Sequence, residues 1–247
     1  MDGVLWRGSQ PIGDLPAIFS EIVRRGLNVV LATNNATTTR EQYVEKLFHF
    51  GVKVSLGQII TSGIVTGAYL RERYPQGGKV YILGEQGLQR SLEEQGFIVS
   101  ESDVAVVIVG MDRELTFDKL SKASRLIRSG ADFLATNPDR TFPTPEGLIP
   151  GAGAILAAVE AATGQQALVI GKPQPEMYNF ALKYMGTPPE NTLVVGDRVE
   201  TDIAGGQAVG CKTALVLSGV TDVVSAKLWK PAPDIIADHL ESVLKNI

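Results

Sequence analysis

Apolar positions along this chain alternate between two rhythms. Leu15, Ile18, Phe19, Ile22 and Val23 recur three and four residues apart. They follow Asp14, an N-cap, and Pro16, an early-turn proline, and predict a helix that Gly26 ends. Residues 27–32, apolar except for Asn28, predict a buried strand. Thr38 and Glu41 stand at capping-box spacing ahead of a second helical face, made of Tyr43, Val44, Leu47 and Phe48 and closed by Gly51. Residues 59–61 then read as a strand and 62–74 as a helix. This alternation predicts a parallel sheet with crossover helices.

Pro75-Gln76-Gly77-Gly78 interrupts the pattern and is the best candidate boundary. Beyond it come strands over 79–83, 104–109 and 132–136, helices over 85–95, 117–129 and 153–163, and a Pro-rich loop over 137–150. The first rhythm resumes with a strand at 168–170, a helix at 177–184, a strand at 193–195, a helix at 203–209 and a strand at 213–217. The expected organisation is an α/β core domain over 1–76 and 167–247, with a second α/β unit of ordinary domain size inserted over 77–166.

Composition narrows the function. A chain of 247 residues can bury a real core. Its 23 Lys and Arg against 27 Asp and Glu leave a net charge of −4, which argues against nucleic acid or an anionic membrane as the main partner. A single cysteine, Cys211, excludes an internal disulfide and fits a reducing, cytoplasmic setting. It stands between Gly210 and an apolar strand, so it reads as a buried structural thiol. No signal peptide is visible, and the longest apolar runs, such as 104–109, are too short to span a bilayer. With only His49 and His239, both expected in helices, a histidine-based zinc site or a Ser-His-Asp triad is hard to build.

The candidate chemistry lies just past predicted strands, where open α/β sheets place their ligands. Thr33-Asn34-Asn35 follows one strand, Gly171-Lys172-Pro173 a second, and Gly196-Asp197-Arg198-Val199-Glu200-Thr201-Asp202 a third. Asp2-Gly3, ahead of Val4 and Leu5, reads by itself as a tight turn. Brought to one sheet edge, Asp2, Asp197, Asp202 and Lys172 suit a divalent cation and a phosphate. Carboxylates are hard oxygen ligands for Mg²⁺. Alone, Asp202 would serve only the helix dipole and Asp197 only a turn. Lys172 supplies a point charge for phosphate. Thr33, Asn34 and Asn35 offer a hydroxyl, amides and backbone N–H groups before a helix, which suits an anion. Gly151 and Gly153 lack the third glycine of a dinucleotide fingerprint, Leu156 standing in its place, and no Walker-type lysine loop exists.

Asp2-Gly3-Val4-Leu5-Trp6, Thr33-Asn34-Asn35, Gly171-Lys172-Pro173 and Gly196-Asp197-Arg198 through Asp202 resemble the four motifs of haloacid dehalogenase superfamily phosphatases, in the capped NagD-type, 4-nitrophenylphosphatase-like group. The resemblance implies a Rossmann-like core with a parallel sheet and an inserted α/β cap. It implies a Mg²⁺-dependent phosphomonoesterase that works through an aspartyl-phosphate on small phosphorylated metabolites: phosphoglycolate, glycerol phosphate, sugar phosphates, nucleoside monophosphates or aryl phosphates. It implies catalytic roles for Asp2, Thr33 and Lys172, with Asp2 as general acid and then base. It implies phosphate contacts from Thr33, Asn34, Asn35 and Lys172, and metal contacts from Asp2, Asp197 and Asp202, with Asp197 the direct ligand. The cap loop from Asn137 to Gly153 would screen substrates, Trp6 and Arg7 would pack near the cap, with a core position for Trp6 an equal alternative, and the cap allows a homodimer. The family's first motif is Asp-x-Asp-Gly, and Met1 fills the x position. Its nucleophilic Asp, and the strand leading into it, would therefore stand ahead of Met1. The alternative reading is a non-catalytic Mg²⁺- and phosphate-binding protein of the same fold.

Residues 1–247 by themselves are expected to show no turnover of 4-nitrophenyl phosphate with Mg²⁺. The same residues preceded by an apolar strand ending in Asp should show it. Equal rates from the two purified chains would remove Asp2 from the acid/base role.

Overall fold

The structure, a computed structural model, describes residues 1–144 and 146–247, and at 143 the backbone alone. In chain order the elements are β1 (Trp6–Arg7), β2 (Gln10–Pro11), α1 (Leu15–Arg24), β3 (Leu31–Thr33), α2 (Arg40–His49), β4 (Ile59–Thr61) and α3 (Ser62–Arg73). There follow β5 (Gly78–Leu83), α4 (Gln86–Glu93), β6 (Phe97–Val99), β7 (Val106–Val109), α5 (Phe117–Arg128), β8 (Asp132–Ala135), β9 (Thr141–Thr144), β10 (Gly147–Pro150) and α6 (Ala152–Thr163). The last third holds β11 (Leu168–Val169), α7 (Pro175–Met185), β12 (Leu193–Gly196), α8 (Ala204–Ala208), β13 (Lys212–Val216), α9 (Val223–Leu228), β14 (Ile235–Ala237) and α10 (Leu240–Leu244). A wide π-type turn, Val199–Ile203, leads into α8.

The chain forms two compact units. One comprises Met1–Ala32, Tyr43–Ile60 and Lys172–Ile247, the other Thr33–Gln42 and Thr61–Gly171. The second unit is thus wider than the expected 77–166. β11, expected in the core domain, pairs in parallel with β8, matching Leu168 to Leu134 and Val169 to Ala135. An apolar run identifies a strand but not its neighbour, so the pattern alone could not assign it.

In the first unit β12, β13 and β14 form a parallel sheet in that order, and β3 pairs with β4. The expected single core sheet is therefore in two pieces. Between residues 29–32 and Leu193–Gly196 lies a cavity of about 450 Å³, bordered also by Met1, Leu5, Tyr178 and Leu244. Around it pack Leu5, Trp6, Leu15, Ile18, Leu31, Leu47, Ile59, Val216 and Val243 in one apolar core. The start of α1 is as expected: Asp14 accepts from Ala17 N at 3.1 Å. Residues 27–30 do not join a ladder; the Gln58 side chain instead donates to Val29 O at 3.1 Å. Val23 and Phe48, counted on the apolar helix faces, are exposed. His239 caps α10 rather than lying within it.

The second unit is a five-stranded parallel sheet in the order β11-β8-β7-β5-β6. Its central strand β7 is buried along its whole length, which is why 106–109 reads as four consecutive apolar residues. α5 and α6 cover one face through Ala123, Ile127, Ile155, Leu156 and Val159 against Val107, Val109 and Phe133. The capping box of α2 stands one residue beyond the expected pair: Thr39 N donates to Gln42 Oε1 at 2.9 Å and Gln42 N to Thr39 Oγ1 at 3.3 Å. The expected loop over 137–150 carries the β9–β10 hairpin, and residue 145 lies outside the described residues. Gly87, in the first turn of α4, donates its N–H to Thr37 O at 3.1 Å. A Cβ on Gly87 would stand 2.5 Å from Ala36 O, so only glycine admits the 36–38 segment there.

Candidate active site

The site in the first unit begins where β12 ends. Gly196 and Asp197 leave the strand, the chain makes its wide turn, and Asp202 comes back beside the strand end. Turns of this π type concentrate at functional sites. The closeness is steric: a Cβ on Gly196 would lie 2.1 Å from Asp202 Cβ. Asp202 is buried and every carboxylate oxygen is used. Oδ2 accepts from Asp197 N and Arg198 N, both at 3.1 Å, and Oδ1 accepts from Lys172 Nζ at 2.6 Å. Burial pushes the Asp202 carboxyl up, but the Lys172 charge and its hydrogen bond outweigh that and hold it below the usual carboxylate range.

Asp197 has the opposite balance. It is buried, and desolvation, with the Asp202 charge beside it, holds its carboxyl above the usual range. Its Oδ2 accepts one backbone bond, from Val220 N at 2.9 Å, and its backbone O accepts from Thr221 N at 3.0 Å. Two glycines flank the carboxylate. A Cβ on Gly3 would stand 2.3 Å from Oδ2, and one on Gly219 would stand 2.0 Å from it. Gly3 also has φ +74°, a backbone that favours glycine.

Asp2 reaches the same place through its neighbours. The backbone nitrogen of Met1 is buried beside Lys172, Asp2, Asp202 and Asp197. Gly3 N donates to Trp6 O at 2.8 Å, and Gly3 O accepts from Ser218 Oγ at 2.7 Å. Arg7 Nε in turn donates to Ser218 O at 2.7 Å. The Asp2 carboxylate accepts from Trp6 Nε1 at 2.7 Å. Trp6 is a core residue, fully buried between Tyr43 and Phe50, with Lys46 Nζ 4.3 Å from its ring centroid.

Lys172, Asp197 and Asp202 thus form one bonded cluster, with Asp2 tied to it through Gly3. Thr33, Asn34 and Asn35 belong to the other unit. There Thr33 Oγ1 accepts from Asn35 N at 3.2 Å, Asn34 is buried, and Asn35 Oδ1 accepts from Thr37 N at 2.9 Å. The loop Ser218-Gly219-Val220-Thr221 escaped the sequence reading. Its signal was the one used elsewhere, a polar and glycine-containing stretch just past the predicted strand 213–217. Among the described residues no group of three or more His, Cys, Asp or Glu side chains is gathered as a metal cage. The donor set still fits one small cation. Asp197 is a buried carboxylate with a single backbone donor shown on Oδ2, whereas both Asp202 oxygens are committed to N–H groups and Lys172.

Residues 1–98 match the haloacid dehalogenase-like hydrolase family, and residues 169–243 a HAD-hydrolase-like one. The acid sugar phosphatase of Staphylococcus saprophyticus is 33% identical over 248 residues, covering 100% of this chain and 95% of that protein. The chain belongs to the haloacid dehalogenase-like hydrolases. The 5'-nucleotidase YutF of Bacillus subtilis is 33% identical over 90% of this chain and 86% of its own. Two solved structures place this family member among the NagD-type phosphatases. The p-nitrophenyl phosphatase from Archaeoglobus fulgidus superposes with a TM-score of 0.94 at 30% identity, covering 100% of this chain and 96% of that one. NagD from E. coli K-12 superposes with 0.89 at 32% identity, covering 97% and 94%. This haloacid dehalogenase-like hydrolase is a phosphatase with the α/β core and inserted α/β cap of that group. None of its described helices is long and apolar enough to cross a membrane.

Lys172→Ala strands a buried Asp202 charge, and removing one partner of such a pair costs about 3–5 kcal/mol. Denaturant unfolding is expected to show a loss of that size. A loss under about 1 kcal/mol, the scale of exposed pairs, would mean that the pair does not hold the turn.

Proposed function

We propose that this phosphatase is a Mg²⁺-dependent phosphomonoesterase of small phosphorylated metabolites, sugar phosphates and nucleoside monophosphates foremost. The observation that carries it is the buried cluster in which Lys172 and two N–H groups saturate Asp202 while Asp197 keeps acceptor capacity. The substrate classes are taken from the relatives, an acid sugar phosphatase, a 5'-nucleotidase and a p-nitrophenyl phosphatase by name.

In this reading Asp197 is the direct ligand of the cation, Asp202 the support that orients its loop, and Asp2 the third metal contact. A divalent cation supplies charge neutralisation for the transferring phosphoryl group. Lys172 adds a second positive charge toward the phosphate oxygens. As a nucleophilic carboxylate, which the family's first motif places two residues before Asp2, bonds to phosphorus and the ester P–O bond breaks, the Asp2 carboxyl would give its proton to the leaving oxygen. It would then take a proton from the water that attacks the aspartyl-phosphate, freeing the carboxylate and inorganic phosphate. Trp6 and the Ser218–Gly3 bond hold Asp2 for that task. Thr33 and Asn35 are assigned to the phosphate on their sequence pattern, a hydroxyl and an amide ahead of a helix. The inserted unit is the cap, which limits substrate size.

Mg²⁺ titrated calorimetrically into residues 1–247 is expected to bind at one site. Asp197→Ala should abolish the heat, and Asp202→Asn should weaken it. Undiminished Mg²⁺ binding by Asp197→Ala would sink the metal assignment. A panel of sugar phosphates, nucleoside monophosphates, phosphoglycolate, glycerol phosphate and 4-nitrophenyl phosphate, run on the strand-extended chain, ranks the substrates. Turnover of phosphoproteins in place of these small esters would overturn the size limit.

A further inference from the structure

Asn34 stands in the middle of Thr33-Asn34-Asn35, and its amide nitrogen and backbone oxygen bond within its own unit. The side chain is buried and its Nδ2 donates to Asp139 Oδ2 at 3.1 Å. Its backbone O takes two donors, Ser62 Oγ at 2.6 Å and Asn137 Nδ2 at 2.7 Å. Asn137, also buried, is fixed from behind: its Oδ1 accepts from Asp139 N at 3.1 Å, and Nδ2 reaches Thr136 Oγ1 at 3.3 Å. The remaining side-chain atom, Oδ1, lies against Gly171, where a Cβ would stand 2.6 Å from it. Gly171 N is bonded in turn to Thr136 O at 2.9 Å.

This is a buried polar network whose members share partners, and such networks hold their geometry cooperatively. One of its ends is joined by a peptide bond to Thr33. The other, Gly171, is joined by a peptide bond to Lys172. We propose that Asn34 is a positioning residue, not a phosphate ligand. With Asn137 and Asp139 it clasps the 33–35 turn to the strand end that leads through Gly171 into Lys172. Thr33 is thereby set in place through its chain neighbour, and the clasp ends on the residue that precedes Lys172. The inference rests on the phosphate reading of Thr33 and Lys172 given above.

A ligand and a clasp respond differently to changes at Asp139. As a ligand, Asn34 would lose nothing when Asp139 goes, and removal of a nearby negative charge would if anything favour an anion. As a clasp, Asn34 needs the Asp139 acceptor. Calorimetry with inorganic phosphate on the Mg²⁺-loaded chain, with melting temperatures recorded for each variant, separates the two. Asp139→Ala, at a half-buried side chain, is expected to weaken phosphate about tenfold, the scale of one lost hydrogen bond to a charged group. Asn34→Ala and Asn137→Ala should do the same. The Asn34→Ala, Asp139→Ala double variant should be no worse than either single one, since residues of one network are not additive. Asp139→Asn keeps an acceptor for Nδ2 and should bind phosphate as the unsubstituted chain does. Loss confined to Asn34→Ala would make Asn34 a direct ligand and overturn the proposal. Lowered melting temperatures with unchanged phosphate affinity in every variant would reduce the network to stability and overturn it as well. No phosphate binding by the unsubstituted chain would overturn the proposed function, and this proposal with it.

Discussion

The ion pair between Lys172 and Asp202 is the constraint on which the first unit's site depends. A carboxylate taken out of water needs near-complete compensation, and Asp202 receives it from one ammonium and two backbone N–H groups. Those two N–H groups belong to Asp197 and Arg198, so neutralising Asp202 also fixes the loop that presents Asp197. Once the loop is fixed, the hydrogen bond shown to the Asp197 carboxylate among the described residues is the one from Val220 N, and no ammonium is bonded to it as Lys172 is to Asp202. Its carboxyl is held up by burial and by the Asp202 charge, which leaves a place where added positive charge is favourable. Saturation of one carboxylate thus creates the need of the other.

Glycines set the tolerances around that pair. Gly3 and Gly219 close on Asp197 from two sides and Gly196 makes room for Asp202, so the cluster is bounded by backbone that no side chain can soften. Trp6 carries the same rigidity to Asp2. Its indole N–H is committed to the carboxylate, while its ring is locked in the core by Tyr43, Phe50 and the ammonium of Lys46. Orientation of Asp2 is in this way bound to the packing of the main apolar core.

Lys172, Asp197 and Asp202 were legible in the sequence because each follows an apolar run that really is a strand, so a local pattern located a nonlocal cluster. The loop from Ser218 to Thr221 obeys the same rule but acts through backbone N–H groups and an absent Cβ, which no residue type advertises. The strand at 168–169 was legible, but its pairing with β8 was not, because pairing depends on the far side of the sheet. β6 was missed since Ile98 faces outward and only Phe97 is buried, too short a signal to stand out. The capping box shifted by one residue because Thr37, Thr38 and Thr39 offer the same hydroxyl, and only geometry chooses among them. The bonds of Asn34 were not legible. Its partners, Asn137 and Asp139, lie about a hundred positions along the chain, where no local pattern could join them to it.

The strand order β11-β8-β7-β5-β6 reverses direction between β7 and β5, and at such a reversal an open parallel sheet has its natural crevice. Here the first turn of α4 gives the Gly87 N–H to the carbonyl of Thr37, and that glycine leaves no room for anything larger against Ala36 O. The 36–38 stretch of the same unit thus lies against the start of the helix that follows β5. Mutation could recruit new ligands to this sheet only by first evicting that stretch, and Asn34 and Asn35 stand directly before it.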